Sequence, residues 1–257
     1  MYYAHMTADA PSGTQAVDRA LQILQWFDDR TPELGVADVA ARLGVHRSTA
    51  SRLLTALERN GFLEAQPDGR YRLGLRLVSL AGLVLNRYPV RALAHDVLRE
   101  LRDETEESTY LGLLDGREVV YIDQISSPHV AVNVDWVGER QSLVSGATGF
   151  LLLAFQPPEV IRHIVEQANG QTAPRLPSEL ELAAIRRDGY VVRSTASATD
   201  GTVGVAAAVR DHRGATIAAI TVGGPPHRAL DRLESVLLPA VITAAARVSE
   251  RLGYRAA

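Results

Sequence analysis

The 257-residue chain has no cysteine, no lysine and only 5% aromatic residues. Without cysteine there is no disulfide, no thiolate nucleophile and no cysteine-ligated zinc, so stability rests on packing and on self-association. Without lysine there is no phosphate-binding loop of the kind that ends in that residue. All 27 basic side chains are arginine, which, with the abundant alanine, is the composition a GC-rich genome produces. Long hydrophobic runs are missing too. The longest, near Phe150 to Phe155, falls far short of the roughly 20 residues that span a bilayer, and no charged-then-apolar leader opens the chain. A cytoplasmic protein without a membrane partner is expected.

Catalytic patterns are equally sparse. His46 lies in a turn between helices, while His95, His129, His163, His212 and His227 are scattered, and no HExxH spacing joins any of them into a metal site. Ser145-Gly146 lacks the flanking glycines of a nucleophile elbow. The reading is therefore no enzyme, no metal and no cofactor.

The remaining composition, 46% hydrophobic and 22% charged, is that of a globular chain long enough for a core in each of two domains. Its net charge of −3 is unevenly spread. From Val39 to Arg76 seven arginines face three acidic residues, a local charge of +4. The preceding stretch is acidic, with Asp9, Asp18, Asp28, Asp29, Glu33 and Asp38 against Arg19 and Arg30. A basic segment inside an acidic protein marks a polyanion-binding surface.

That segment carries a helix-turn-helix pattern. Val36, Val39, Ala40 and Leu43 recur at helical spacing, Gly44 allows a sharp exit, and Ala50, Leu53, Leu54 and Leu57 form the apolar stripe of a second helix. Arg47, Ser48, Thr49, Ser51 and Arg52 occupy its first turns on the polar side, where such a helix meets base edges and phosphates. A plain helical hairpin is the alternative, and the following residues argue against it. Phe62-Leu63-Glu64, the turn Pro67-Asp68-Gly69 and Arg70-Tyr71-Arg72-Leu73 form a wing. Ahead of both, Ala16, Ala20, Leu21, Leu24 and Phe27 give a first helix closing on Asp28-Asp29, with Arg19 on its polar side. The expected DNA-facing set is Arg19, Arg47, Ser48, Thr49, Ser51, Arg52, Arg70, Tyr71 and Arg72.

The predicted organisation is a disordered arm over 1–12, a winged helix-turn-helix over 13–74, a leucine-rich linker helix over 75–90 and a second domain over 91–257. The linker is too apolar to stand uncovered, which implies a dimer around it. After an amphipathic helix from Val90 to Thr105 the period turns strand-like. Strands are expected at Thr109–Leu114, Arg117–Gln124, Val130–Trp136, Tyr190–Ser194, Val203–Arg210 and Ala215–Val222. Helices are expected at Phe150–Phe155, Pro158–Ala168, Pro177–Arg187 and His227–Gly253, which makes an α+β domain.

The chain resembles the IclR family of bacterial transcriptional regulators over nearly its full length. The resemblance rests on Val17-Asp18-Arg19-Ala20-Leu21-Gln22-Ile23-Leu24, Arg47 to Leu54, Tyr71-Arg72-Leu73-Gly74, Gly146-Ala147-Thr148-Gly149, Arg187-Asp188-Gly189-Tyr190 and Ala218 to Pro225. It implies an N-terminal winged helix-turn-helix joined by a linker helix to a C-terminal GAF-like effector-binding domain, assembled as a homodimer or tetramer. The implied partners are a double-stranded DNA operator and a small-molecule effector. Carried over position by position, Ala147, Thr148, Ser194, Gly204, Thr221 and Gly223 are the expected effector-binding residues.

Three departures shape that expectation. Phe150 stands where many relatives have lysine, Arg193-Ser194-Thr195-Ala196-Ser197 replaces an acidic run, and Ala208 replaces a proline. They imply a less charged cavity with Thr148, Ser194 and Thr221 as neutral hydrogen-bonding groups, suited to a weakly polar or aromatic ligand. The alternative they keep open is a DNA-binding regulator that has lost its effector response.

Overall fold

Gly44, with φ of +64°, closes one short helix so abruptly that the next begins three residues later. These are α2 (Val36–Leu43) and α3 (Arg47–Arg59), which follow α1 (Gln15–Leu24) in the computed structural model. It describes residues 14–28, 30–129, 135–168, 176–194 and 201–255, and its contacts divide the chain into units Met1–Arg87 and Tyr88–Ala257. The expected arm over 1–12 lies outside the described residues.

In the first unit the apolar stripes converge as their spacing requires. Ile23 of α1, Val39 and Ala40 of α2, and Ala50, Leu54 and Leu57 of α3 form one buried cluster. The α3 helix is capped by His46, whose ring Nδ1 accepts from the Ser48 amide at 3.2 Å. Contrary to expectation, α1 stops at Leu24 and does not reach Asp28. The Asp28 carboxylate accepts from the amides of Arg30 and Thr31 at 2.9 and 2.6 Å, and this local bonding favours a turn over a further helical turn.

The wing has an additional strand. β1 (Leu34–Gly35) pairs with β3 (Arg70–Leu73), which also pairs with β2 (Leu63–Ala65). Two residues are too few for period-two alternation, so β1 leaves no trace in the sequence pattern. Beyond the wing, α4 (Arg76–Leu85) buries no residue within its unit, and Val78 and Leu83 are 67% and 66% exposed.

The second unit begins with α5 (Pro89–Thr105). Six strands follow among the described residues: β4 (Ser108–Asp115), β5 (Glu118–Ile125), β6 (Arg140–Ser142), β7 (Tyr190–Ser194), β8 (Val203–Arg210) and β9 (Thr216–Gly224). They form an antiparallel sheet in the order β6-β5-β4-β9-β8-β7. Between β6 and β7 run α6 (Gly146–Ala154), α7 (Pro158–Ala168) and α8 (Glu179–Asp188). Alternation along β8 sends Ala206 into the cluster built around α6, and Val205 and Val209 to the opposite face, where α10 (Leu238–Arg251) packs.

The linker helix expected over 75–90 ends at Leu85. In the second unit most expected elements stand within a residue or two of these bounds, and three differ. The helix expected from Phe150 begins four residues earlier, so that Gly146–Gly149 is the first turn of α6, which is buried from Ala147 to Ala154. Gly149 is required there, because a Cβ would lie 2.8 Å from the Ser142 carbonyl oxygen. The expected continuous helix from His227 to Gly253 is broken into α9 (Pro226–Ala229), a π-helical turn Leu233–Leu237, and α10. Pro239, at the start of α10, offers no N–H for the preceding turn, and the ladder widens just ahead of it. Of the expected strand Val130–Trp136, residues 130–134 lie outside the described ones, and Asp135 and Trp136 are not in a strand.

Candidate functional site

Two surfaces carry the expected functional residues, one in each unit. On α3, Arg47, Ser48 and Arg52 are exposed, and Thr49 and Ser51 are half-buried. The Ser48 hydroxyl is 2.8 Å from His46 Nδ1, so the cap ties one of these side chains to the turn. Arg19 is half-buried on α1.

The wing arginines are not free at a tip. Arg72 directs two N–H groups to Glu64 Oε2 at 3.1 and 2.9 Å, across the strand pair in which these residues stand opposite each other. Arg70 donates to the Glu33 carbonyl at 2.8 Å, with the Glu33 and Asp38 carboxylates at 3.7 Å. Tyr71 packs half-buried against the helical core. Arg72 and Glu64 are each about half exposed, and an exposed pair of this kind is worth under about 1 kcal/mol. A phosphate can replace such a partner at little cost.

In the second unit a cavity of about 420 Å³ opens between α6 and the sheet. This lies within the roughly 300–1,000 Å³ typical of small-molecule sites. Ala147, Thr148, Gly204, Thr221 and Gly223 all line it. Gly112 of β4 makes room for Thr148, whose Cγ2 would stand 2.5 Å from a Cβ at that position. One wall is aromatic: Tyr110, Tyr121 and Trp136 stack edge to face at 5.7 and 5.9 Å between successive ring centroids. A polar chain crosses the floor. Tyr121 donates to Gln141 Oε1 at 2.9 Å and lies 3.1 Å from Thr148 Oγ1, itself 2.8 Å from Thr221 Oγ1. Burial pushes the hydroxyl pKa of Tyr110 and of Tyr121 above the ordinary tyrosine value, so both present neutral O–H groups.

Ser194 is the exception among the carried-over residues. It pairs with Val203, one step out of phase with the cavity, and is exposed. Its neighbour Arg193 pairs with Gly204 and lines the cavity instead. Directly opposed residues share a face, so a one-residue offset decides which side chain enters. Arg228 and Glu107 line it as well, so charged groups stand beside the neutral Thr148 and Thr221. The sequence reading missed Tyr110, Tyr121, Trp136, Gln141, Glu107, Arg193 and Arg228, because the pairing register that gathers them is not a local signal. Residues 195–197 of the departing loop lie outside the described ones.

A family profile described as "Bacterial transcriptional regulator IclR C-terminal" matches residues 82–250, and one described as "IclR helix-turn-helix domain" matches 16–67. The chain belongs to the IclR family. Within it, the chain is 32% identical over 249 residues to the HTH-type transcriptional regulator XynR of Escherichia coli K12, covering 94% of this chain and 98% of that one. Among solved structures it is similar to the Thermotoga maritima IclR, with a TM-score of 0.75 and 27% identity over 94% of this chain and all of the other. It is also similar to an IclR homolog from Microbacterium hydrocarbonoxydans complexed with 4-hydroxybenzoate, with a TM-score of 0.75 and 25% identity over 92% and 98% of the two chains. Members of the IclR family are named as transcriptional regulators and not as enzymes, and this chain is an IclR-type regulator with a DNA-binding helix-turn-helix. No helix among the described residues is long and apolar enough to cross a membrane.

Proposed function

We propose that this regulator binds an operator through α3 and the wing, and that a small aromatic or weakly polar effector in the cavity of the second unit adjusts that binding. The observation that carries the effector half is the aromatic wall of Tyr110, Tyr121 and Trp136 facing the polar chain from Gln141 to Thr221. Such a site offers a ring surface at one side and fixed hydrogen-bonding groups at the other. The relative complexed with 4-hydroxybenzoate supports a ligand of that size and kind here. For the DNA half, Arg47 and Arg52 stand exposed on the helix expected to enter the major groove.

The active form is a homodimer or a tetramer. Support comes from the uncovered leucine and valine side chains of α4, including Val78, Leu83 and Val84. Two copies related by a two-fold axis present two reading helices to an inverted repeat, with arginine contacts to phosphates fixing the register. An effector alters operator affinity only to the extent that it binds the two arrangements unequally.

Thermal stability across a panel of aromatic acids, aliphatic acids, esters and neutral metabolites tests the effector half. A ligand at a hundred times its dissociation constant adds about 2.7 kcal/mol and raises the melting temperature by several degrees. A panel that shifts nothing favours a regulator without an effector.

A further inference from the structure

A serine hydroxyl carries one proton and two lone pairs, so on its own it bonds a phosphate, a base acceptor or a base donor without preference. Ser48, exposed at the second position of α3, is not on its own. Its backbone N–H donates to His46 Nδ1 at 3.2 Å, which requires that this nitrogen carry no proton. The Ser48 hydroxyl lies 2.8 Å from the same nitrogen. A bare Nδ1 has nothing to give, so the hydroxyl is the donor and its one proton is spent within the protein. Only lone pairs remain on Oγ. Ser48 therefore meets DNA as an acceptor.

Phosphate oxygens are acceptors too, as are guanine N7 and O6, adenine N7 and thymine O4. None of them can bond such a hydroxyl. The donors that bases show in the major groove are amino groups, at adenine N6 and cytosine N4. Arg47 and Arg52, exposed on the same helix, carry donors for the phosphates, so the serine is not needed there. The imidazole keeps its single proton on Nε2, and no charge enters the arrangement.

We propose that His46 and Ser48 form a specificity-determining pair on the reading helix. His46 is the positioning residue, and through it the Ser48 hydroxyl accepts from the amino group of an adenine or cytosine and rejects a guanine or thymine carbonyl in its place. The inference rests on the DNA half of the reading above.

The test starts from duplexes that the full chain selects out of a random-sequence library. In a selected duplex each amino group is deleted singly, with unsubstituted purine for adenine and 2-pyrimidinone for cytosine, and affinity is read by fluorescence anisotropy. At one adenine or cytosine the deletion is expected to weaken parent binding about threefold to tenfold, and to have no further effect in Ser48→Ala. Because the deletion also weakens base pairing, only the part that disappears in Ser48→Ala counts. His46→Gly keeps a residue accepted at a helix N-cap but frees the hydroxyl proton, and there the same deletion costs about twofold or less. Both variants keep the salt dependence of the parent, since no charge is removed. If no deletion couples to Ser48→Ala, or if Ser48→Ala weakens every duplex alike, the hydroxyl reads no base and the proposal is overturned. It is overturned equally if the coupling persists undiminished in His46→Gly. Each of these results leaves the DNA reading standing. A parent that enriches no duplex from the library removes the DNA reading and the proposal with it.

Discussion

Arg228 holds both oxygens of Glu107 through parallel hydrogen bonds of 2.9 and 2.8 Å. Glu107, between α5 and β4, is 1% exposed, whereas the Arg228 side chain, on α9 beyond the last strand, keeps 31% exposure. Removing the arginine strands a buried carboxylate. Arg228→Met is expected to destabilise the fold by about 2 kcal/mol, below the figure for a fully buried pair because Arg228 is partly solvated. Adding Glu107→Gln should restore part of that loss, since the stranded charge is then gone. Urea unfolding of the two single variants and the double variant checks this through their non-additivity.

A Cβ at Gly74 would stand 2.3 Å from the Gly61 carbonyl oxygen. The obstacle is backbone, and Gly74 is also bonded to the Phe62 carbonyl at 2.8 Å, so neither side can yield cheaply. Gly74→Ala should cost about 2–3 kcal/mol in the first unit and weaken operator binding with it. Gly82→Ala, where no atom of the same chain lies within 4 Å, is the comparison and should leave the stability of the first unit itself unchanged.

How much of this was legible in the sequence follows from the range of the interactions involved. The helices α2 and α3 announce themselves through apolar spacing and Gly44, and the hairpin of β4 and β5 through Asp115-Gly116, because these signals are local. The cavity is not local. Ala147 and Thr148 were found through resemblance, but whether Arg193 or Ser194 enters depends on which of them faces Gly204 across a strand pair. The pairs of Arg70 with Glu33 and Asp38 were hidden for the same reason, since they depend on how the wing folds back on β1 and α2.

Arg52 and Arg72 should respond differently to substitution. Arg52→Ala removes an exposed α3 charge and is expected to weaken operator binding and lower the salt dependence by about one counterion. In the free chain Arg72 is already paired with Glu64, so Arg72→Ala should have a smaller effect, and Glu64→Gln should strengthen binding slightly. Fluorescence anisotropy at several salt concentrations separates these outcomes.

The pair of Asp96 and Arg251 sets a weak acid limit. Two hydrogen bonds of 2.6 and 2.8 Å from Arg251 hold the Asp96 carboxyl at about 2, below its ordinary 3.8. A carboxylate with a lowered folded-state pKa stabilises the fold above its unfolded value, and that stability is lost as pH falls through the folded one. Both side chains are at least a third exposed, so the contribution is under about 1 kcal/mol. Asp96→Asn should be slightly less stable than the parent at pH 6 and equal to it near pH 2. Urea midpoints at the two pH values show whether the gap closes.

Gly204 borders the cavity next to Ala147, whose Cβ would lie 3.2 Å from a Cβ at position 204. Gly204→Val fills that space with a residue that suits a strand, so the fold should hold while the effector is excluded. The most direct measurement is therefore operator binding by fluorescence anisotropy at fixed salt, with and without a saturating ligand from the thermal panel, in the parent and in Gly204→Val. The effector should change parent affinity by a factor of roughly 5–150, operator should change effector affinity by that same factor, and Gly204→Val should bind operator without responding. An unchanged parent affinity, or a response that Gly204→Val retains in full, would contradict control of DNA binding from this cavity.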